Sequence, residues 1–353
     1  MRKGKRLIAW IMAVVMLFTI CVFGGNGTAE AAATTPVAKH GRLSVKGADL
    51  VDSKGNKFQL RGISTHGINW DVGSPYVNKK AFKTLRDDWG VNAIRLAMYT
   101  EEYNGYCSGG SQAKLRKLVD KGVGYATDLG MYAIIDWHIL SDGNPNKNKS
   151  QAKKFFTTMA KKYKNNKNVI YEICNEPNGC GWKEIKSYAT DIIKTIRKYD
   201  KKAVIIVGTP TWSQLGTDGT SNEVADSPIK GYKNIMYSLH FYASEWAHNE
   251  YLPAKVAYAR KKKLPIIVSE FGLSPASGAG AINKASADKW MKLLNKYNIS
   301  YFCWSLSNKN ESASLLKPST KKTSGWKSGD LSTAGKYIKK KYLARKKALG
   351  KKA

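Results

Sequence analysis

The chain has 353 residues, and its formal net charge of +33 at pH 7 is extreme. After residue 33 the sequence contains no Pro/Ser/Thr-rich linker, low-complexity spacer or short repeat, so nothing divides it into several domains. Its lysines are spread over the polar faces of predicted helices rather than gathered in a groove, which argues against a nucleic-acid partner. We expect a solvated basic surface that can adhere to anionic cell walls or acidic polysaccharides.

The first 33 residues have the pattern of a secretory signal peptide. A basic start at residues 2–6 precedes the apolar run Leu7–Phe23, and small residues follow at 29–33. The alternative is an uncleaved membrane anchor, because the run approaches the roughly 20 residues that span a bilayer. The basic start and the small residues favour cleavage near residues 31–33. We therefore expect a secreted, extracellular protein.

Eight short apolar runs recur along the remaining chain, each one strand plus one helix after the last. Several are apolar on both faces, as is typical of parallel strands that are covered on both sides. The predicted strands are Gln59–Ser64, Val91–Met98, Tyr132–His138, Val169–Asn175, Ala203–Thr209, Ile235–Tyr242, Pro265–Gly272 and Ile299–Ser305.

The segments between these strands have the periodicity of amphipathic helices. The pattern predicts helices over Asn78–Trp89, Ser111–Leu129 and Glu184–Tyr199. Gly90 and Gly130 follow the first two, where glycine can end a helix in the left-handed conformation.

The order of the predicted elements indicates a single (β/α)8 barrel. Gly41–Val45 and Lys57–Gln59 flank a turn at Ser53–Asn56, which predicts a β-hairpin that closes the barrel floor. Eight βα units then predict a catalytic domain over residues 34–343, followed by a basic tail over 344–353. The alternative, an open doubly wound sheet, calls for a glycine-rich phosphate loop after an early strand, and the sequence has none.

Four cysteines follow the predicted signal peptide, and none has zinc-ligand spacing. Cys174 and Cys303 lie in apolar strands, so we expect buried free thiols there. Cys107 and Cys180 lie in predicted loops, and the sequence leaves open whether they form a disulfide.

Two glutamates stand at predicted strand ends, where the active sites of this fold lie. Glu176 follows the fourth strand and Glu270 lies near the end of the seventh. Either one alone could be a salt-bridge partner, but cleavage of a glycosidic bond needs one proton donor and one carboxylate. The two strand ends face each other across a barrel mouth, which permits the short separation of a retaining enzyme. We predict Glu176 as the acid/base and Glu270 as the nucleophile.

Polar residues at the other strand ends suit the same chemistry. Arg95 and Tyr242 are placed to bond the carboxylate of Glu270. We expect Asn175 to bond a sugar 2-hydroxyl, and His138 and His240 to orient hydroxyls and to tune the pKa of Glu176.

These residues stand in strings that resemble glycoside hydrolase family five, in its bacterial endoglucanase subfamily. The resemblance extends from about His40 to about Tyr342 and implies the same roles for Glu176 and Glu270. It also implies a β-1,4-glucan substrate. We further expect a monomer that uses no cofactor or metal. The matching strings are Arg61–Gly67, Arg95–Tyr99, Ile135–Leu140, Val169–Gly179, Leu239–Ala243 and Ser269–Gly272.

The resemblance also implies a set of substrate contacts. After the eighth strand, Lys309 and Glu311 match positions that bond a sugar further along the cleft, although from the residues alone they would be a solvated charge pair. Phe271 and Cys303 depart from the usual pattern, which puts fine specificity in doubt. The implied contacts are His66, Trp70, Tyr99, His138, Trp212, His240 and Trp304.

Three other interpretations remain at the level of sequence. A metal-dependent hydrolase would use His66, His138 and His240, but the closely spaced ligand set of such barrels is absent. A non-catalytic carbohydrate-binding barrel would have lost one of the two glutamates, and both are present. The same chemistry could act on mannan, xylan, lichenan or xyloglucan, because outer loops set that preference.

Overall fold

The structure is a computed structural model, and it describes residues 35–350. The predicted signal peptide lies outside the described residues. Helix α1 (Pro36–His40) leads into an antiparallel hairpin of β1 (Ser44–Lys46) and β2 (Asp49–Val51). Among the described residues, no helix combines the length and the hydropathy needed to cross a bilayer.

Eight parallel strands form a closed barrel, in which neighbours in sequence are neighbours in space and the last strand pairs with the first. The predicted (β/α)8 fold is therefore confirmed. Strands β6 and β7 are shorter than predicted by three and four residues, because the apolar pattern extends into buried segments outside the ladder. The strands are β3 (Arg61–Thr65), β4 (Ala93–Tyr99), β5 (Tyr132–His138), β6 (Val169–Glu172), β7 (Ile205–Val207), β8 (Ile235–Tyr242), β9 (Ile266–Gly272) and β10 (Tyr301–Leu306).

The helices return from the mouth of the barrel to its floor, so that their C-terminal ends lie beside the hairpin. Two short turns stand where a long helix would separate β7 from β8, and 3-10 turns lie at Ser74–Tyr76 and Ser328–Asp330. The helices are α2 (Lys79–Trp89), α3 (Gln112–Asp128), α4 (Lys149–Tyr163), α5 (Trp182–Arg197), α6 (Pro210–Ser213), α7 (Glu223–Asp226), α8 (Trp246–Lys261), α9 (Lys284–Lys296) and α10 (Thr333–Gly350).

Local sequence determines where helix α2 begins and ends. The Asn78 side chain accepts a hydrogen bond from the Ala81 N–H (2.8 Å) and caps the helix start. Gly90 ends it at φ 75°, in the left-handed region that glycine adopts without steric cost. The end at Gly90 agrees with the prediction.

The hairpin covers the barrel floor as predicted, but its turn differs. Strands β1 and β2 pair around Gly47, whereas the predicted turn at 53–56 is closed by a single bridge between Val51 and Lys57. Gly47 supplies the positive φ of 59° that this tighter turn needs, whereas the prediction rested on the longer polar stretch at 53–56. The hairpin contributes Leu43 and Leu50 to the apolar cluster inside the lower barrel.

The four cysteines of the described residues are free. Cys174 and Cys303 are buried, as predicted. Cys107 and Cys180 are half-buried and are not joined to each other.

Helix α10 continues through most of the predicted tail and belongs to the packed domain. The buried Tyr342 hydroxyl donates to the Gly62 carbonyl of β3 (2.8 Å). Arg345 donates from Nε to Gln59 Oε1 (2.8 Å). Residues 342–345 of α10 are therefore hydrogen-bonded to β3 and to the segment just before it.

Replacing this buried hydroxyl should weaken the fold. We expect Tyr342→Phe to lower the free energy of unfolding by about 1–2 kcal/mol, because the buried Gly62 carbonyl loses its side-chain donor. Urea unfolding measures this, with Tyr103→Phe as control, since Tyr103 is 80% exposed. Equal stability of the two variants would contradict the assignment.

Candidate active site

A cleft of about 580 Å³ opens at the C-terminal ends of the strands. All but two of the predicted site residues line it. The exceptions, Arg95 and Asn175, are fully buried directly beneath the cleft. The predicted residues along the cleft are His66, Trp70, Tyr99, His138, Glu176, Trp212, His240, Tyr242, Glu270, Trp304, Lys309 and Glu311.

The guanidinium of Arg95 is the centre of the buried polar network. Its Nη1 donates to Glu270 Oε2 (2.8 Å), its Nε donates to Glu172 Oε2 (2.6 Å), and its Nη2 lies 3.1 Å from Asp136 Oδ2. Nη2 also donates to Asn175 Oδ1 (2.5 Å). One planar cation thus fixes three carboxylates and an amide, a geometry that the fork of five N–H donors allows.

Asp136 and Glu172 were not predicted as site residues. Each is an acid inside an otherwise apolar strand, and they are paired across β5 and β6. That interruption of the pattern was the signal available in the sequence. Burial raises the pKa of Asp136 to about 7 and also raises that of Glu172, while Arg95 opposes both shifts.

The two predicted catalytic glutamates lie close together. One oxygen of Glu176 and one of Glu270 lie within 4.8 Å of each other and of a ring nitrogen of His240. Within residues 35–350 this is the sole grouping of three His, Cys, Asp or Glu side chains that close, and neither His66 nor His138 belongs to it. We assign it no metal, since its members are already engaged in hydrogen bonds.

The environments of the two glutamates differ. Glu270 accepts from Arg95 and from the Tyr242 hydroxyl (2.7 Å), so both predicted contacts are present. Glu176 Oε1 lies 2.8 Å from His240 Nδ1, and no Lys or Arg within residues 35–350 forms an ion pair with it. Burial raises the pKa of Glu176 to about 8, against the opposing charge of Arg95.

His138 and Asn175 form a second buried chain. His138 Nδ1 lies 2.6 Å from Asp136 Oδ2, and its Nε2 faces the Asn175 amide nitrogen at 3.2 Å. The amide nitrogen also donates to the Ile139 carbonyl (3.1 Å). The network assigns the ring proton to Nδ1, and burial lowers the pKa of His138 to about 3, so the ring is neutral. The predicted contact of Asn175 with a sugar stays a prediction.

Aromatic rings line one side of the cleft. The Tyr99 and His138 centroids are 4.1 Å apart, and His138 stacks on Trp304 at 5.3 Å. Trp70 packs 4.5 Å from Tyr99, and His66 lies 5.2 Å from Trp304. Such a wall offers flat apolar surfaces with polar edges, which suits the faces of a sugar ring.

Trp212 stands on the other side, 45% exposed, in a left-handed turn. Thr211, Trp212 and Ser213 have φ values of 56°, 52° and 63°, which non-glycine residues adopt at a cost. Hydrogen bonds from the Trp212 N–H to the Pro177 carbonyl (3.0 Å) and from Ser213 Oγ to the Asn175 carbonyl (2.6 Å) hold the turn. The exposed ring is thereby tied to the segment that carries Glu176.

Lys309 and Glu311 form a charge pair at the cleft edge. Lys309 Nζ lies 2.6 Å from Glu311 Oε2, and Glu311 Oε1 lies 3.7 Å from His66 Nε2. The side chain of Glu311 is only 6% exposed, so the pair is not fully solvated. It faces the cleft, as the resemblance implied.

Several residues that line the cleft were missed from the sequence. His248, in the first turns of α8, accepts the Tyr242 N–H at its Nδ1 (2.9 Å) and lies 3.1 Å from Gln214. The sequence did place this histidine only six residues after Tyr242, but the prediction considered strand ends and not the helix that follows. The other missed residues are Glu102, Leu140, Gln214, Glu245, Ala276, Ser277 and Gly278.

The chain matches the sequence profile of cellulases, glycosyl hydrolase family 5, over residues 51–310. It belongs to this family. The chain is therefore a glycoside hydrolase of the endo-1,4-β-glucanase class, and the resemblance to bacterial endoglucanases is confirmed.

Individual relatives agree with the family. The chain is 47% identical over 341 residues to an endoglucanase of Clostridium saccharobutylicum, which covers 95% of this chain and 72% of the relative. It is 44% identical to endoglucanase 5 of Pectobacterium carotovorum subsp. carotovorum, over 92% of this chain and 62% of that one. Among solved structures, the catalytic domain of Thermobifida fusca endoglucanase Cel5A in complex with cellotetraose superposes with a TM-score of 0.80 at 36% identity, covering 88% of this chain and 99% of that chain.

Removal of the Arg95 cation tests the buried network. We expect Arg95→Met to lower the free energy of unfolding by about 3–5 kcal/mol at pH 8, because Asp136, Glu172 and Glu270 lose their counter-charge. The loss should be smaller at pH 5, because burial raises the pKa of Asp136 and of Glu172 and their protonated forms need no counter-charge. Urea unfolding at both pH values measures it. Arg116→Met is the control, and an equal loss in both variants would contradict the account.

Proposed function

We propose that the protein is a secreted, retaining endo-β-1,4-glucanase that cleaves internal bonds of cellulose and related soluble β-glucans. The observation that carries the proposal is the separation of Glu176 and Glu270. Retaining enzymes hold the two carboxyl groups about 5–5.5 Å apart, and inverting enzymes leave roughly 6.5–9.5 Å for a water. One oxygen of Glu176 and one of Glu270 lie within 4.8 Å of each other, which fits the shorter separation of a retaining enzyme.

In the first step Glu270 attacks the anomeric carbon and Glu176 donates its proton to the departing glycosidic oxygen. The bond to that oxygen breaks as the bond to Glu270 forms, which leaves a covalent glycosyl-enzyme. Arg95 and Tyr242 donate hydrogen bonds to Glu270 and so fix the position of its carboxylate oxygens. The raised pKa of Glu176 keeps its proton available near neutral pH.

In the second step Glu176, now ionised, takes a proton from water. The water oxygen bonds to the anomeric carbon as the ester bond to Glu270 breaks, and both carboxyl groups return to their starting states. His240 remains beside Glu176 throughout. Burial lowers the pKa of His240 to about 4, so it stays neutral and hydrogen-bonds Glu176 without adding a charge.

The open cleft and its aromatic walls support a polymeric glucan as the substrate. Trp70 and Trp304 on one side and Trp212 on the other offer stacking surfaces on both sides of the reacting pair. The same chemistry on mannan, lichenan or xyloglucan is the alternative. A non-catalytic carbohydrate-binding barrel is disfavoured by the presence of both glutamates. Product profiles on defined oligosaccharides of each class separate the glycans.

Replacing each glutamate separately with glutamine tests the two catalytic roles. We expect Glu176→Gln to lower kcat about 10²–10⁴-fold on carboxymethylcellulose, the usual contribution of a general acid or base. Glu270→Gln should abolish turnover, since no nucleophile remains. Reducing-sugar release measures both. Glu250→Gln, on the exposed face of α8, is the control and should match the wild type.

Azide separates the roles of the two groups. With an activated cellobioside, azide should yield the β-azide in Glu176→Ala, where it replaces water in the second step. In Glu270→Ala it should yield the α-azide, by direct attack from the vacated side. The reverse pattern by NMR would exchange the assignments.

The pKa of Glu176 predicts the alkaline limb of activity. A general acid must be protonated, so kcat/KM should fall as the pH rises through about 8. Initial rates on a soluble cello-oligosaccharide measure this, with pre-incubated enzyme re-assayed at pH 7 to separate ionisation from unfolding. If the reversible fall of kcat/KM with rising pH were instead centred below pH 6, the proposed environment of Glu176 would be contradicted.

A further inference from the structure

Two aromatic side chains stand exposed beside the cleft on helix α8. Trp246 is 69% exposed and Tyr251 is 38% exposed. Their rings are nearly perpendicular, with centroids 5.8 Å apart. Exposed large aromatic residues that pack on each other, rather than on the core, mark binding surfaces.

Their contacts place this aromatic pair next to the Trp212 side of the cleft. Trp246 directly follows Glu245, and His248 lies one turn from Tyr251; both Glu245 and His248 line the cleft. The Tyr251 ring packs on Gly219, where an added Cβ would come within 2.8 Å of it. Gly219 belongs to the loop that continues from Gln214, so the pair extends the wall that begins at Trp212.

We propose that Trp246 and Tyr251 bind glucosyl units of a long β-glucan chain that has left the cleft on the Glu176 side. This inference rests on the proposed function. Glu176 protonates the departing oxygen, so the chain on its side is the leaving segment. The apolar C–H face of a pyranose packs against an aromatic ring, and the pair is continuous with the cleft that holds the rest of the polymer.

The test compares substrates of different length. For Trp246→Ala, kcat/KM on cellohexaose should fall roughly fivefold, the size of one lost stacking contact. The value for a chromogenic cellobioside, which is too short to reach the pair, should stay unchanged. Trp246→Phe should restore much of the loss. Leu343→Ala, an exposed apolar residue on α10, is the control.

Equal values for wild type and Trp246→Ala on both substrates would overturn the inference and leave the glucanase intact. A parallel fall on both substrates would also overturn it, because the effect would then lie at the reacting pair. A wild type that cleaves neither substrate would overturn the proposed function itself, and this inference with it.

A second inference rests on charge at the barrel floor, opposite the cleft. Contacts to the hairpin segment bring several connections together there: Arg42 donates to the Lys164 carbonyl (3.2 Å), Val45 to Asn234 (2.9 Å), and Arg260 to the Ala48 carbonyl (2.6 Å). Exposed lysines are frequent in these connections, and within residues 35–350 none of them forms an ion pair. They are Lys164, Lys167, Lys198, Lys201, Lys202, Lys230, Lys233, Lys261 and Lys263.

The mouth of the barrel has the opposite character. Glu102, Glu176, Glu245, Glu270 and Glu311 line the cleft. On the floor side, residues 161–168, at the end of α4 and in the turn after it, carry four basic residues and no acid. The unpaired lysines therefore make the floor attractive to anions, on the side where binding leaves the cleft open.

We infer that the floor binds a linear anionic polysaccharide of the extracellular matrix. Dispersed lysines on flexible stems attract a regularly charged polymer without shape-specific recognition. Such a partner would hold the enzyme near its substrate while the cleft faces outward. The attraction is between exposed charges, so it should be weakened by salt.

Two quadruple variants of equal net charge test this inference. One replaces floor lysines (Lys164, Lys167, Lys201 and Lys202) with Gln. The other replaces exposed lysines near the mouth or the helix starts (Lys114, Lys117, Lys183 and Lys284) with Gln. On immobilised polygalacturonate the floor variant should elute at clearly lower salt than the mouth variant, with activity on cellohexaose unchanged in both.

Equal elution of the two variants would overturn the inference, since net charge alone would then explain retention. Stronger retention on duplex DNA than on polygalacturonate at matched charge density would also overturn it, because the partner class would be wrong.

Discussion

The site depends on one constraint, the burial of Arg95 at the centre of the barrel. A guanidinium without solvent is tolerated only where acceptors surround it, and here Asp136, Glu172 and Glu270 supply them from three different strands. The same contacts fix the position of Glu270 and, through the Asn175 amide, the segment that leads to Glu176. The distance between the two glutamates is therefore set by a rigid network beneath the cleft rather than by its loops.

That network also makes two identical side chains behave differently. Glu270 accepts hydrogen bonds from a cation and a phenol, whereas Glu176 lies further from the cation with a neutral imidazole as its neighbour. Burial without a contacting cation raises the pKa of Glu176, and the nearby charges of Asp136 and Glu172 add to the shift. Double displacement requires an acid that keeps its proton and a nucleophile held in place, and the network supplies the environment for each.

Much of this arrangement was open to prediction because strand periodicity fixes where a barrel places its C-terminal ends. Glu176, Glu270 and Tyr242 followed from that rule, and the glycine at position 90 predicted the helix stop. Arg95 was also predicted, although it is the third residue of β4 and not at its end. Asp136 and Glu172 did not, because sequence pattern alone does not tell a buried acid in a strand from an exposed one. His248 and the Trp246–Tyr251 pair lie in a helix beyond a strand end, where only tertiary packing brings them to the cleft.

The central claim is that the Arg95 network holds Glu176 and Glu270 at the spacing of a retaining enzyme. The anomeric configuration of the first product tests it most directly, by NMR of cellohexaose hydrolysis recorded before mutarotation. The account predicts that the β-anomer appears first and the α-anomer grows in only as the sugar equilibrates. Initial release of the α-anomer would contradict it, because inversion requires the wider carboxyl separation that leaves space for the attacking water.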